Sequence, residues 1–204
     1  DYFNGIQKKY GKDRTRRTEL RIFDTIDAAK VAVANVKYYV NYAEGFVGTS
    51  LKKDDYLFDC SDIDDIITFR RDGTMQVVKA EPKTFVGQDI IHVGIWKKND
   101  TRTVYNMIYR EGKTGPYYMK RFSVTSITRN TPYPLASEQK GSEILYFSAN
   151  PNGEAEVVNV LLKPNARIRK QRFEIDFSDL AIKGRNSRGN LVTKYSIRKI
   201  DLKE

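Results

Sequence analysis

After residue 35, few windows of the chain sustain the 3.6-residue apolar period of an amphipathic helix. Short β-branched and aromatic runs stand in their place, punctuated by Gly, Asn and Asp, and each run is followed by a turn and a second run. Residues 36–42 turn at Glu44-Gly45 into 46–51. Residues 65–69 turn at Arg71-Asp72-Gly73 into 74–79, the Asp-Gly pair being a strong hairpin signal. Residues 103–109 turn through 111–116 into 117–124, and 143–148 turn at Pro151-Asn152-Gly153 into 156–162. The turn glycines Gly45, Gly73, Gly112 and Gly153 are 28, 39 and 41 residues apart. One hairpin per roughly 40 residues predicts radially repeated sheets, a propeller-like array, rather than a sandwich. A single blade cannot bury both its faces, so neighbouring blades must supply the core. The expected fold is all-β, with about four blades and at most five.

The first thirty residues differ. Residues 6–11 read as the end of a helix, with Gly11 as a C-terminal cap behind Lys8, Lys9 and Tyr10. A charged stretch at 12–17 leads to 20–23, and 27–35 is ambiguous between a short helix and a strand. Residues 1–30 are therefore expected to be a linker from something upstream, and 31–204 the repeated domain.

Composition removes several chemistries. With one Cys (Cys60) there is no intramolecular disulfide and no Cys-based zinc site; with one His (His92) there is no His-rich metal cluster. A nucleophile–His–Asp triad would hang on His92 alone. No apolar run approaches the roughly 20 residues of a membrane span, so a cytoplasmic protein with no membrane partner is expected. The 36 Lys and Arg against 26 Asp and Glu give a net charge of +10, which argues for a polyanionic partner, nucleic acid first.

That charge is uneven. Between residues 54 and 65 there are six Asp and no basic residue, whereas 163–172 hold five basic residues and no acid, and 181–204 add seven more. A duplex presents one charge per ~1.7 Å of axis, and proteins that bend it without reading sequence do so through Lys and Arg on phosphates. Hairpin tips and outer strands of a disc put such residues on a curved rim. Near the predicted turns the candidates are Arg70, Arg71, Lys79, Lys120 and Arg121; the basic stretches add Arg167, Arg169, Lys170, Arg172, Lys183, Arg185 and Arg188. The bland alternative for each is a solvated surface charge.

The acidic run suits a hard cation by residue type, but its spacing lacks the Asp-x-Asp-x-Asp-Gly frame of an EF-hand loop, and an acidic connector between blades is the better reading. His92 sits in the apolar stretch 90–95 and Cys60 follows Leu57-Phe58, so both read as packed residues. Trp96 and the tyrosines alternate with polar residues along strands and read as blade packing before base stacking.

Three features together resemble one family. Lys9-Tyr10-Gly11 followed by Arg16-Arg17-Thr18-Glu19-Leu20 resembles the junction through which the A subunit of bacterial type IIA topoisomerases enters its C-terminal domain. The hairpin pieces 38–50, 66–78, 105–122 and 144–160 resemble that domain's repeats. The segment 178–189, with Gly184-Arg185-Asn186 and Gly189, resembles the family's Gly-Arg-Asn-x-x-Gly near a blade end; Lys120-Arg121 is similar to its Lys-Arg behind a turn glycine.

The resemblance implies a β-pinwheel, a propeller-like disc whose blades exchange strands, that binds and bends duplex DNA around a basic rim. It implies no catalytic residue here, because the family's DNA-cleaving tyrosine lies upstream, and no cofactor for this domain; Mg²⁺ and ATP belong to the whole enzyme. Partners implied are duplex DNA and the other parts of an A2B2 assembly, namely the ATPase B subunit with the rest of the A subunit; the isolated domain is expected to be monomeric. Gyrase carries a Gln-Arg-Arg-Gly-Gly-Lys-Gly box in its first blade that this sequence lacks, which favours the topoisomerase IV branch. The alternatives are a gyrase-type wrapping domain, a propeller for protein interaction, and a hydrolase on a β scaffold, against which the lone His argues.

Overall fold

Hairpins arise from runs that are neighbours in the chain, but a repeated strand exchange joins them into one array. The computed structural model describes residues 2–11, 34–136, 139–165 and 169–203. It divides into two units, Asp1–Ala32 and Val33–Glu204. In the first, helix α1 (Tyr2–Tyr10) carries Lys8 and Lys9 in its last turn, where cations suit the helix dipole. The Gly11 amide closes it on Gln7 O at 2.9 Å. The Arg-Arg-Thr-Glu-Leu junction and most of the ambiguous 27–35 segment lie outside the described residues.

In the second unit, β1 (Val36–Asn41) and β2 (Phe46–Gly48) form the first hairpin, and β3 (Asp55–Cys60) pairs with the far side of β1. The second hairpin follows, β4 (Asp65–Arg70) with β5 (Thr74–Lys79). The chain then crosses back, lends β6 (Thr84–Phe85) to β2, and returns as β7 (Ile90–Trp96) to pair with β4. The third hairpin, β8 (Val104–Arg110) with β9 (Tyr117–Ser123), repeats the manoeuvre. It lends β10 (Tyr133–Pro134) to β5 and returns as β11 (Glu143–Asn150) on β8. After the fourth hairpin, β12 (Val157–Leu162) with β13 (Arg172–Asp176), and a 3-10 turn (Phe177–Asp179), the chain lends two pieces to β9. These are β14 (Ile182–Gly184), parallel, and β15 (Asn190–Thr193), antiparallel. Strand β16 (Ile197–Leu202) closes on β12 and leaves β13 at an edge. The result is four sheets linked by exchanged strands, the β-pinwheel that the resemblance implies.

One expected hairpin is corrected. The runs at 143–148 and 156–162 do not pair with each other. The first, as part of β11, bonds to β8 from Glu143↔Arg110 to Asn150↔Val104, and the second starts the next sheet. The turn at Gly153 is a crossing between blades, and the fourth hairpin pairs β12 with β13 instead. Expected residues 46–51 also shorten to β2 (Phe46–Gly48). Beyond it the backbone bonds to a loop, with the Thr49 and Ser50 amides donating to Glu81 O and Pro82 O.

Burial explains why the repeats look unequal in sequence. Three buried clusters lie between consecutive sheets. Tyr38, Val40 and Val47 meet Ile66 and Val78; Ile67, Phe69 and Met75 meet Tyr105, Met107 and Phe122; Ile108 and Tyr117 meet Val158 and Val160. The middle sheets are covered on both faces, so β4 and β8 are buried almost continuously, whereas β1 and β12 alternate. Among the described residues no such cluster joins the fourth sheet to the first. Phe69 shows the density of the joints: its ring lies 4.7 Å from Tyr105 and 4.6 Å from Phe147, and burying a side chain of this size contributes about 1.5–3 kcal/mol. Trp96 is packed there too, its indole N–H donating to Val124 O at 2.7 Å. His92 lies against Phe69 and Phe147 with its pKa drawn down to about 4 by burial, so it is a neutral packing group. Cys60 is fully buried, which pushes its thiol up to about 11.

The hairpin glycines also seat the crossings. Leu135, which follows lent strand β10, donates its amide to Gly73 O at 2.7 Å, and Val86, which follows β6, donates to Gly45 O at 2.9 Å. Gly73 has φ +84°, and a Cβ there would stand 2.6 Å from Ala136 Cβ. The turn therefore needs glycine for its backbone and for the close approach.

Candidate nucleic-acid interface

The sequence-predicted cations fall into three groups once the chain is folded. At the tip of the second hairpin, Arg71 is exposed, but its backbone is held on both sides: its amide donates to Asp89 O and its carbonyl accepts from Ile144 N, both at 2.8 Å. Arg70 beside it is only partly exposed and forms an ion pair with Asp72 at 3.3 Å. Lys79 is exposed at the other end of the same hairpin. The second group belongs to the fourth hairpin, where Arg169, Lys170 and Arg172 are all exposed at the turn and the start of β13. Arg167 lies outside the described residues. The third group is on the piece lent to the third sheet, and comprises Lys183, Arg185 and Arg188.

Two adjacent cations on β9 turn inward instead. Lys120 is 2% exposed, and its ammonium donates to Leu135 O and Arg185 O at 2.7 Å and to Ser187 O at 3.1 Å. It therefore ties both lent segments to β9, and its charge faces inward; the expectation that it contacts a phosphate is corrected. Burial draws its pKa down to about 8. Arg121 is partly buried, with Nη2 donating to Gly153 O and Glu154 O at the crossing into the fourth sheet.

Acids near these groups are largely engaged. Asp65 takes a two-point fork from Arg129 at 2.7 and 3.0 Å. Buried Glu111 is held by Arg188 at 2.6 Å, and the Arg188 guanidinium also lies 4.6 Å over the Tyr118 ring. Glu156 accepts from Asn106, Tyr146 and Ser148. By contrast Arg71, Lys79, Arg169, Lys170, Arg172 and Lys183 have no ion pair among the described residues. Of the acidic run, Asp54 accepts from Asn41, Asp64 from the Ser61 amide and Asp65 from Arg129, so these three brace loops and a strand.

Reading charges alone misses a polar cleft at the end of the third sheet. Here β9 and β14 run side by side and stop together, with Gly184 opposite Ser123. The cleft, about 400 Å³, is bounded by Ser123, Thr125 and Ser126 on one side and by residues 184–187 on the other. Arg185 is fixed at its edge, with Nη1 donating to Ser126 O and the guanidinium 4.2 Å over the Tyr133 ring. The signal in the sequence is the hydroxyl-rich Ser123-Val124-Thr125-Ser126 directly after β9.

Comparison with known proteins supplies the context. The A subunit of DNA topoisomerase 4 from Borreliella burgdorferi is 29% identical to this chain over 204 residues, which is all of this chain and 31% of that protein. The chain thus spans about a third of that relative's length. The family model described as topoisomerase C-terminal domain, Bacteroidota, matches residues 37–204, from the first strand through the last. On that match, and with four strand-exchanging sheets behind it, the chain belongs to the topoisomerase C-terminal domain family.

Proposed function

We propose that this chain is the duplex-holding C-terminal domain of a topoisomerase IV-like A subunit. It binds DNA without reading sequence and bends it, so that upstream domains can cut one duplex and pass another. The observation that carries the reading is the separation of charges: among the described residues exposed Arg71, Lys79, Arg169, Lys170, Arg172 and Lys183 have no ion pair, while Asp65, Glu111 and Glu156 are spent on internal partners. Such a surface contacts phosphates, giving affinity that falls steeply with salt and little base readout. Bending costs roughly 1–6 kcal/mol for 40–90° over a 20–30 bp site, which several phosphate contacts offset at low salt. In this reading the domain does no chemistry. The cleaving tyrosine, Mg²⁺ and ATP belong to the rest of an A2B2 enzyme, in the bacterial nucleoid.

The test is topological. Nicked circular DNA is ligated with the domain bound, the protein is removed, and the linking-number distribution is compared beside a salt titration of binding. Salt-sensitive binding without a linking-number shift supports the bending role. A clear shift means chiral wrapping of the gyrase type, and no binding at low salt refutes the DNA reading.

A further inference from the structure

The cleft at the end of β9 and β14 has one chemical sign. Its only charged side chain is Arg185, and no carboxylate lines it. Five of its seven backbone acceptors are already used: Thr125 O accepts from Asn99 N, Ser126 O from Arg185, Gly184 O from Ser187 N, and both Arg185 O and Ser187 O from buried Lys120. The donors are not. Arg185 Nε and Ser187 Oγ are shielded from solvent without a partner, and among the described residues no hydrogen bond engages the side chains of Ser123, Thr125, Ser126 or Asn186. Lys120 is central to this asymmetry, because its ammonium draws the carbonyls of the 185–187 turn toward itself. A pocket with most of its carbonyls spent, no carboxylate, hydroxyl and amide groups able to donate and one clamped guanidinium carries positive charge and matches a tetrahedral oxyanion better than a cation. Buried polar atoms are rarely left unpaired without a reason, and two of them occur together here.

We propose that this cleft seats a phosphate group, and that in function the group is a backbone phosphodiester of the bound duplex. The second clause rests on the DNA-holding role above; the first stands without it. Exposed Lys183 on the same lent piece would take a neighbouring phosphate of the strand. The cleft then acts as a fixed point that sets where the duplex enters the third sheet, distinct from the exposed lysines elsewhere.

The test uses the full 204-residue chain in amide NMR titrations with inorganic phosphate, and separately with a short duplex. For the wild type, phosphate is expected to give saturable shifts confined to 123–126 and 184–187. Asn186→Asp places a carboxylate among the donors without touching the Lys120 contacts, and should abolish those shifts. It should also weaken duplex binding about 5–10-fold more than Gln88→Glu, the same charge change at an exposed site away from the cleft. Arg185→Gln should lower the slope of log K against log salt by about one. Absence of phosphate shifts in the folded wild type overturns the site. Phosphate shifts together with equal duplex affinity for Asn186→Asp and Gln88→Glu also overturn it as a DNA contact, leaving a free-phosphate site. If no duplex binds at all, the DNA-holding reading fails, and the phosphate titration alone decides the cleft.

Discussion

Replacing Lys120 by Met is the sharpest perturbation this fold offers. The two side chains are similar in length, so the change removes the ammonium and leaves the packing largely filled. Three carbonyls, from Leu135, Arg185 and Ser187, lose their donor. A hydrogen bond to a charged group contributes about 1.5–3 kcal/mol net, and an abandoned buried acceptor costs about 1–3 kcal/mol. Two of the three carbonyls belong to the turn beside the open cleft and can be rehydrated, and desolvation of the ammonium already offsets part of the hydrogen-bond gain, so the expected loss is about 1–2 kcal/mol near pH 7 rather than the full sum. The pH dependence has a definite sign. The folded pKa of about 8 lies below the ordinary 10.5, so between these values the unfolded chain binds more protons than the folded one. Wild-type stability should therefore rise with pH across pH 8–10.5, by up to about 3 kcal/mol, relative to Lys120→Met. Urea unfolding followed by Trp96 fluorescence reads both effects, since this single Trp sits at the joint between the second and third sheets. A stability loss under about 0.5 kcal/mol would show that Lys120 is not an internal strut. A folded Lys120→Met whose salt slope for DNA drops by about one would show that the ammonium reaches a phosphate after all.

Gly73→Ala should cost about 1–3 kcal/mol by the same unfolding assay, because alanine meets both a left-handed backbone and Ala136; an unchanged midpoint would refute the crossing geometry. His92, neutral with its pKa near 4 against an ordinary 6.5, should make the protein lose up to about 3 kcal/mol as pH falls from 6.5 to 4. His92→Phe should flatten that part of the stability curve, and an unchanged acid limb would refute the assignment. Double replacement of Arg169 and Lys170 by Gln should leave the unfolding midpoint within about 0.5 kcal/mol while reducing the salt slope of duplex binding by about two. An unchanged slope would remove the fourth hairpin tip from the interface.

Local signals carried much of the architecture. The turn at Asp72-Gly73 is written in the chain, since the Asp72 carboxylate accepts from the Thr74 amide at 2.9 Å and glycine supplies the positive φ. Alternation along β1 and β12, and the heavier apolar runs of β4 and β8, already separated strand from helix. Four sheets could be expected from the repeat, and the family from Gly184-Arg185-Asn186 and its companions. Pairing was another matter. A run, a glycine turn and a second run describe the β4–β5 hairpin and the β11-to-β12 crossing equally well. Whether the second run folds back or moves on depends on which distant strand has an open edge, and β8 offered one to β11.

The candidate site divides in the same way. Net charge and the clusters at 163–172 and 181–204 pointed to a polyanion without any knowledge of the fold. Spacing could not say that Lys120 turns inward while Lys183 stays exposed, because the carbonyls that capture Lys120 come from 15, 65 and 67 residues away. Sequence by itself determined the first three hairpins and the sign of the net charge, set by neighbours along the chain. The acidic run read as a connector instead holds strand β3, and β13 to β16 were not foreseen. Tertiary structure alone decided which strands exchange, which cations are spent, and that a cleft of free donors lies beside Arg185, because those depend on groups that only folding brings within hydrogen-bond reach.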